Sequence, residues 1–195
     1  MRRLLVINPN TSQSVSTLLQ THVQASAGLH VQVHTTTARF GAPYISDEAG
    51  YAVAAHAALD AWAHALATGP APDAVLIGCF GDPGLLALRE SSPVPVTGLA
   101  EASFIEASRH GRFAIVTGGT RWGPMLQRLA QVLGHAPQLA GIHTVLPTGA
   151  QLAADPAAAR ALLALDDGYE PGSMGVPAVV LGGAGLAGMA AKIQP

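Results

Sequence analysis

The sequence contains little cysteine, little charge and few aromatic residues. Among its 195 residues there is one cysteine, which excludes a disulfide framework and a zinc site built from cysteines. Charged residues make up 11% of the chain, against about 25% in an ordinary soluble protein. The net charge is −2 and no basic cluster is present, so we expect no nucleic-acid partner. Because aromatic residues make up only 5%, the core must consist mainly of aliphatic side chains.

Long apolar runs are also missing. No run approaches the roughly 20 residues that a membrane-spanning helix requires, so we expect no membrane association. The first residues, Met1 to Ile7, contain two arginines and then an apolar stretch that is too short for a signal peptide. We therefore expect a cytoplasmic protein. The small number of charges leaves much apolar surface to cover, which favours a homo-oligomer.

Short continuous apolar runs predict strands that are covered on both faces, as in a parallel sheet. These runs are Leu4–Ile7, Ala74–Gly78, Phe113–Thr117 and Ala178–Leu181. Thr11 or Ser12 can cap a first helix that runs to about Ala25, and Asp47 starts a long helix that ends near Thr68. The remaining predicted elements are strands over Leu29–Thr37 and Val94–Thr97 and helices over Leu85–Glu90 and Glu101–His110.

The second half of the chain repeats the first. Phe113–Thr120 matches Leu4–Thr11 in character, and Ala178–Gly185 matches Ala74–Gly81. A repeat of this length predicts two pseudo-symmetric α/β lobes, over residues 1–98 and 99–195. Each lobe is expected to be a mostly parallel sheet flanked by helices.

Four turns at strand ends are expected to meet in one cleft between the lobes, because open parallel sheets bind ligands at that edge. They are the turns at Asn10, Cys79, Thr117 and Gly183. In the register of the repeat, Gly183 lies opposite Cys79. The second lobe ends soon after its glycine-rich turn, and the breaker-rich segment 166–173 is expected to form a flexible loop or a shortened helix.

Common catalytic and cofactor motifs are incomplete or missing. Gly183–Gly188 fits the pattern G-x-G-x-x-G after a strand and at the start of a helix. A dinucleotide site is nevertheless not expected, because no strand with an acidic residue follows about 20 positions later. The eight histidines include no H-E-x-x-H motif, so no metal is expected. No G-x-S-x-G motif supports Ser/His/Asp hydrolysis.

Cys79 follows a predicted strand in a turn that is rich in glycine and proline. One interpretation is a buried thiol that packs as a small apolar group, because cysteine is among the most buried residue types. The other is a reactive thiolate beside an anion site, because amides at the start of the next helix would favour the thiolate. Position and spacing alone support the two interpretations equally.

Four segments carry a resemblance to a known family: Ile7–Ser12 (Ile-Asn-Pro-Asn-Thr-Ser), Pro43–Ile45, Gly78–Gly84 (Gly-Cys-Phe-Gly-Asp-Pro-Gly) and Leu181–Gly188. With these motifs the chain resembles the Asp/Glu/hydantoin racemase superfamily, most closely its hydantoin and allantoin racemases. The resemblance implies two pseudo-symmetric α/β lobes with the site between them, and activity without a cofactor. It implies a small-molecule substrate, namely a carbon acid such as hydantoin, allantoin or an amino-acid derivative. Two cysteines of these enzymes, one in each lobe, remove and return a proton on opposite faces of the substrate.

The resemblance gives Cys79 a catalytic acid/base role in an isomerase. Inverting a carbon centre requires a base on one face and an acid on the other, and backbone amides can stabilise the charge that spreads to a neighbouring carbonyl. The residues that the resemblance places in contact with the substrate are Asn10, Thr11, Phe80, Gly81, Thr117, Gly118, Gly183 and Ala184. Asn10, Thr11, Thr117 and Gly118 can also be interpreted as cap or turn residues.

The sequence departs from the resemblance at the second cysteine, because Gly183 holds its position. Glycine carries no proton, and losing one acid/base group costs about 10²–10⁴ in rate. Efficient two-thiol racemisation is therefore in doubt. A water, His110 or Asp82 would replace the missing acid if the fold brings it near.

Two other functions remain open. Arylmalonate decarboxylases of the same superfamily protonate a planar intermediate with one cysteine, but that cysteine lies in the second lobe. They also resemble one another in a hydroxyl pair that Ala184 and Gly185 do not provide. The other alternative is a non-catalytic relative that binds a small molecule without turnover.

Overall fold

The structure, a computed structural model, describes residues 1–155, 157–159 and 176–189. The chain divides into two compact units, Met1–Leu99 and Ala100–Pro195. Each unit contains one parallel β-sheet with helices packed against it. The predicted α/β fold with two parallel sheets flanked by helices is therefore confirmed.

The first unit is built around a four-stranded sheet. Its elements in chain order are β1 (Arg2–Asn8), α1 (Gln13–Ala27), β2 (Val31–Thr37), α2 (Glu48–Thr68), β3 (Ala74–Ile77), α3 (Leu85–Ser91) and β4 (Val96–Gly98). The strand order is β2-β1-β3-β4, and every neighbouring pair is parallel. Val6, Ile7 and Ile77 on the two central strands have no exposed surface. This burial on both faces explains why these strands are continuous apolar runs in the sequence.

The helix ends of the first unit follow from local side chains. Ser12, rather than Thr11, caps α1, because its hydroxyl oxygen accepts a hydrogen bond from an amide of the first turn. Asp47 caps α2 in the same way. The helix ends at Thr68, just before Pro70, which has no amide hydrogen with which to continue the helical pattern.

Two predicted boundaries near the middle of the chain were wrong. β4 begins at Val96 rather than Val94, because Pro95 has no amide hydrogen and contributes only its carbonyl, which accepts from Val75 N at 2.9 Å. α4 (Leu99–Ser108) begins directly after β4 rather than at Glu101.

The second unit contains a three-stranded sheet. After α4, its elements are β5 (Phe113–Gly118), α5 (Trp122–Val132), β6 (Leu139–Val145), α6 (Gly149–Ala154) and β7 (Ala178–Gly182). The strand order is β6-β5-β7, and both pairs are parallel. All six residues of β5 are buried. β6 was not predicted, because only Leu139 and Val145 of this edge strand are buried and no continuous apolar run marks it.

The internal repeat is confirmed by the strand registers. Corresponding pairs are Leu4 opposite Ala74 in the first sheet and Phe113 opposite Ala178 in the second. These are the same residues that the sequence repeat aligns. Gly183 therefore holds, beyond β7, the position that Cys79 holds beyond β3.

Two expectations concern the end of the chain. The segment 166–173, predicted as a flexible loop or a shortened helix, lies outside the described residues. The helix predicted to open at Gly183 is, within the described residues, a single 3-10 turn over Ala184–Leu186. Among the helices that the structure describes, none combines the length and the apolar character needed to cross a membrane.

Candidate active site

Cys79 lies at the carboxyl edge of the first sheet, just beyond β3. β1 and β3 are parallel neighbours, and Gly78 N donates a hydrogen bond to Ile7 O at 2.8 Å. The turn that carries Cys79 therefore leaves the sheet beside the loop that follows β1. The predicted site residues of the first unit all lie in these two segments: Asn10, Thr11, Cys79, Phe80 and Gly81.

The thiol of Cys79 is buried, with 7% of the residue exposed. Burial raises the pKa of this thiol, and the negative charge of Asp82 raises it further. α3 begins only at Leu85, and burial and the charge of Asp82, rather than helix-start amides, are the causes that shift the pKa of this thiol. The thiol is therefore protonated at neutral pH, and in this state it is a proton donor.

Asp82 is a buried carboxylate in the same turn as Cys79, and 1% of the residue is exposed. Its amide nitrogen donates to Cys79 O at 3.1 Å. Its carboxyl group lies against the Cα of Gly98, where an added Cβ would come within 2.0 Å of the carboxyl carbon. Of the two side chains named as replacement acids, Asp82 is thus beside Cys79 in the first unit, whereas His110 is an exposed residue of the second unit.

Phe80 and Gly81 complete the turn after β3. Phe80 is 5% exposed, so its side chain is part of the core of the protein. Gly81 has a φ of +153°, and its carbonyl oxygen accepts a hydrogen bond from the Tyr51 hydroxyl at 2.8 Å. Tyr51, on α2, therefore anchors the backbone next to the thiol. Sequence analysis missed Tyr51, because no local pattern connects it with a turn thirty residues later.

The loop after β1 is organised by Asn8, which has no exposed surface. The two hydrogens of its side-chain amide nitrogen are shared among three acceptors: Asn10 Oδ1 at 3.0 Å, Ser12 O at 3.0 Å and Ser16 Oγ at 2.9 Å. Ser16 Oγ in turn lies 2.6 Å from Thr37 Oγ1 at the end of β2. Sequence analysis missed Asn8, Ser16 and Thr37 as site residues. A polar Asn8 at the end of a buried apolar strand is the signal that would have found the first of them.

Asn10 and Thr11 retain groups that can bind a ligand. Asn10 Oδ1 accepts from Asn8 Nδ2 and from Ser12 N, at 3.0 and 2.9 Å, so the oxygen is occupied. Asn10 Nδ2 and Thr11 Oγ1 make no hydrogen bond to any residue in the described part of the chain. The arrangement fixes Asn10 through its oxygen and leaves its nitrogen as a donor beside the thiol-bearing turn.

The predicted site residues at the end of β5, Thr117 and Gly118, are more tightly engaged. Thr117 is 4% exposed, and its hydroxyl donates to Gly182 O on β7 at 2.9 Å. Gly118 allows close packing, because an added Cβ would lie 2.5 Å from Leu152 Cδ1 and 2.7 Å from Pro147 O. The hydroxyl oxygen of Thr117 can still accept a hydrogen bond from a ligand, whereas Gly118 can offer only backbone atoms.

Gly183 and Ala184 lie in a tight turn. Gly183 has a φ of +136°, and its carbonyl oxygen accepts from Leu186 N at 2.9 Å. An added Cβ would lie 3.3 Å from two atoms of the Leu186 side chain. A residue with a side chain is therefore disfavoured here by the backbone conformation as well as by space. Ala184, which is half-buried, begins the 3-10 turn.

His, Cys, Asp and Glu are the side chains that could hold a metal ion. Within residues 1–155, 157–159 and 176–189, no group of three or more such side chains is placed to do so. The chemistry on offer in the first unit is a buried thiol, a neighbouring carboxylate and polar donors on the adjacent loop.

Comparisons with known proteins point to one family. A family model described as Asp/Glu/Hydantoin racemase matches residues 4–195. A hydantoin racemase of Paenarthrobacter aurescens is 31% identical over 199 residues, covering 98% of this chain and 81% of that protein. A hydantoin racemase of Pseudomonas sp. (strain NS671) is 28% identical, covering 98% of this chain and 77% of that protein.

Solved structures give the same result. An allantoin racemase from Klebsiella pneumoniae superposes with a TM-score of 0.92 at 30% identity, covering 99% of this chain and 78% of that chain. An allantoin racemase from Pseudomonas fluorescens gives a TM-score of 0.91 at 26% identity, with coverages of 98% and 80%. A glutamate racemase from Campylobacter jejuni, at 13% identity and a TM-score of 0.64, shares the fold. The resemblance carried by the sequence motifs is confirmed.

Proposed function

The chain belongs to the Asp/Glu/hydantoin racemase family, and we propose that it is a cofactor-independent isomerase that moves a proton at the acidic carbon of a small substrate. The substrate class is a hydantoin, allantoin or amino-acid derivative, in keeping with the hydantoin and allantoin racemases to which the chain is similar. Cys79 is the acid/base group. The proposal includes the homo-oligomer that the sparse charge favours.

The observation that carries the proposal is the position of Cys79. A single thiol stands at the carboxyl edge of a parallel sheet, beside a loop whose Asn10 offers an unused amide donor. Removing a proton next to a carbonyl group sends negative charge to the carbonyl oxygen, and fixed donors lower the energy of that state. Asn10 Nδ2 and Thr11 Oγ1 are the groups we assign to this task in the first unit.

The thiol must change its state for this chemistry. Burial and Asp82 keep it protonated, so it can return a proton to a carbanion, whereas removing a proton first requires the thiolate. A donor that hydrogen-bonds the thiolate, or a substrate that changes the surroundings of the sulfur, would lower the barrier to ionisation. We propose that substrate binding at the Asn10 loop has this effect and that the thiol proton passes to solvent water.

Gly183 limits the reaction to one efficient proton carrier. In the register of the repeat it stands where Cys79 stands in the first unit, and it has no side chain. We therefore propose that proton exchange on the face served by Cys79 is faster than inversion. Losing one acid/base group costs about 10²–10⁴ in rate, so inversion would be slower than exchange by a factor in this range unless water replaces the second acid.

The experiment measures exchange and inversion separately. Each enantiomer of a 5-substituted hydantoin and of allantoin is incubated in heavy water with wild type, with Cys79→Ser and without protein. Proton NMR follows loss of the α-proton signal, and chiral chromatography follows inversion. We expect the wild type to exchange one enantiomer faster than it inverts it, and Cys79→Ser to lose exchange. Equal exchange by both proteins would remove Cys79 from the mechanism.

A second candidate, decarboxylation, has one observation in its favour. A protonated thiol without a partner thiol is suited to protonating a planar intermediate from one face, after an arylmalonate has lost carbon dioxide. Release of carbon dioxide from arylmalonates by the wild type, and its loss in Cys79→Ser, would establish this reaction. Thermal stabilisation by a hydantoin that survives Cys79→Ala, with neither exchange nor decarboxylation, would indicate a non-catalytic binding protein.

A further inference from the structure

Asp82 is a buried carboxylate to which the proposed proton transfer assigns no step. It lies three residues after Cys79, and its backbone bonds both to Cys79 and to the first residue of α3. Asp82 N donates to Cys79 O, and Asp82 O accepts from Leu85 N, each at 3.1 Å. Asp82 therefore connects the segment that carries the thiol to the start of α3.

The backbone of Asp82 is strained. Its φ of +52° is the only positive value at a non-glycine residue in the part of the chain that the structure describes. Aspartate and asparagine enter this left-handed region more readily than most residues, but at a cost that surrounding contacts must offset. Strain of this kind concentrates at functional sites and points to a role for the side chain that it positions.

The carboxyl group is held in place by β4. An added Cβ on Gly98 would lie 2.0, 2.2 and 2.3 Å from the carboxyl carbon and the two carboxyl oxygens of Asp82. The whole carboxyl group therefore lies against the Gly98 Cα, and the absence of a side chain at Gly98 is a condition for this position. Two residues from separate strand ends thus cooperate to place one negative charge beside the thiol-bearing turn.

The titratable groups near this turn lie on several elements. Asp82 is the charged side chain that acts electrostatically on Cys79. On the neighbouring helices, Tyr51 donates its hydroxyl hydrogen to Gly81 O and Arg89 donates from Nε to Val96 O. β3 and β4 carry no titratable residue. A change in the charge at Asp82 is therefore expected to reach the thiol directly.

We propose that Asp82 is a positioning residue that acts through Cys79, fixing the turn that carries the thiol and keeping the thiol protonated until substrate binds. The proposal rests on the proposed function, because it concerns the same cysteine. Its consequence is that Cys79 does not ionise in the free protein and becomes the base that removes the α-proton only when substrate is bound.

The test uses the fact that Cys79 is the one cysteine of the chain, so that thiol labelling reports on it alone. Iodoacetamide labelling rates are measured from pH 7 to 9.5 for wild type, Asp82→Asn and Asp73→Asn. Asp73→Asn is the matched control, because it makes the same change at an exposed carboxylate before the start of β3. Asparagine also tolerates a positive φ, so Asp82→Asn preserves the turn.

We expect the plot of labelling rate against pH to move to lower pH by about one unit in Asp82→Asn, because a nearby like charge disfavours the thiolate. The plot for Asp73→Asn should coincide with that of wild type. Coincidence of all three plots, or a move to higher pH in Asp82→Asn, would overturn the proposal.

If Asp82→Asn is unfolded at the assay temperature, labelling of Gly98→Ala tests the proposal instead. Displacing the carboxyl group should move the plot in the same direction, and an unchanged plot would again overturn the proposal.

A second readout separates this role from a purely structural one. The acid limb of the pH profile for α-proton exchange reports the ionisation of the catalytic base, and it should move in Asp82→Asn in the same direction as the labelling plot. Labelling needs no substrate. A shifted labelling plot without any exchange by the wild type would therefore contradict the proposed function and leave the link between Asp82 and Cys79 standing.

Discussion

The turns after β3 and after β7 hold the same position in their sheets but offer different chemistry. Each follows the strand that pairs with the first strand of its unit, and the two registers coincide residue by residue. The first turn contains a thiol and a buried carboxylate. The second contains Gly183, whose φ of +136° suits glycine alone, and a short 3-10 turn. The same strand pairing therefore places a thiol at the turn of the first unit and only backbone groups at the turn of the second.

The polar residues near the ends of β1 and β5 also differ between the two units. Asn8 lies opposite Thr37 on β2, and Thr117 lies opposite Thr144 on β6, so the two are equivalent in register. Asn8 Nδ2 lies within hydrogen-bond distance of three acceptors and organises a loop, whereas the Thr117 hydroxyl donates one hydrogen bond and joins two strands. In the first unit the polar side chains therefore order the loop that lies beside the thiol-bearing turn.

The largest expected effect is loss of exchange on removing the thiol. Cys79→Ala should lower the rate of α-proton exchange by about 10²–10⁴, because the acid/base group is gone. Asp73→Asn, at the opposite end of β3, is the control and should exchange at the wild-type rate. The measurement is proton NMR in heavy water. Retention of more than a tenth of the wild-type rate in Cys79→Ala would assign exchange to another group.

Replacing Asn8 should lower the free energy of unfolding more than replacing its equivalent, Thr117. Asn8→Ala removes the two hydrogen bonds that Nδ2 can donate at one time and the one that Oδ1 accepts from Asn10 N, so it should lower the free energy of unfolding by about 3 kcal/mol. Thr117→Val removes one bond at nearly constant volume and should cost about 1 kcal/mol. Urea unfolding of both variants measures the difference. Equal losses would show that the Asn8 network contributes no more than a single bond.

Placing a thiol in the second unit should reduce the chemical difference between the turns. Gly183→Cys should raise the ratio of inversion to exchange at least tenfold, because an added acid/base group contributes about 10²–10⁴ and strain removes part of that gain. The melting temperature should fall, because a side chain at this φ is unfavourable. Gly183→Ser is the matched control for size and strain. An inversion ratio no higher in Gly183→Cys than in Gly183→Ser would exclude this position as a site for the second acid.

The smallest expected effect is a dependence of stability on alkaline pH that only the first turn produces. The pKa of the buried Cys79 thiol is raised in the folded protein from its usual value of 9.0. Above about pH 9 the unfolded chain ionises this thiol while the folded protein keeps its proton, so stability falls as pH rises. Relative to Cys79→Ala, wild type should lose about 1 kcal/mol between pH 9 and pH 10 and less between pH 8 and pH 9. Urea unfolding at pH 8, 9 and 10 measures the difference, and parallel curves would contradict the raised pKa.

The elements that could be predicted are those whose causes are local. Ser12 and Asp47 cap their helices because their side chains bond to amides three residues away. The central strands were predicted because burial on both faces demands continuous apolar residues. The edge strand β6 has no such run and was missed, and Pro95 moved the start of β4 in a way that depends on its pairing with β3.

The candidate site could be predicted only in part. The motif around Cys79 and the loop with Asn10 were identified from the sequence, and parallel pairing of β1 with β3 brings them together. The roles of Asn8 and Tyr51 were not predicted. Tyr51 is distant along the chain from the residue it contacts, and the contacts of Asn8 depend on how α1 and β2 pack against β1.

By itself, the sequence determined the alternation of strands and helices, the register of the repeat and the presence of a thiol at one strand end and a glycine at the other. These properties depend on residue type and on spacing within a few positions. Only the tertiary structure decided that the thiol is buried and protonated, because its ionisation depends on solvent exclusion and on the charge of Asp82. It also decided where that charge lies, since Gly98 on a separate strand leaves room for the carboxyl group.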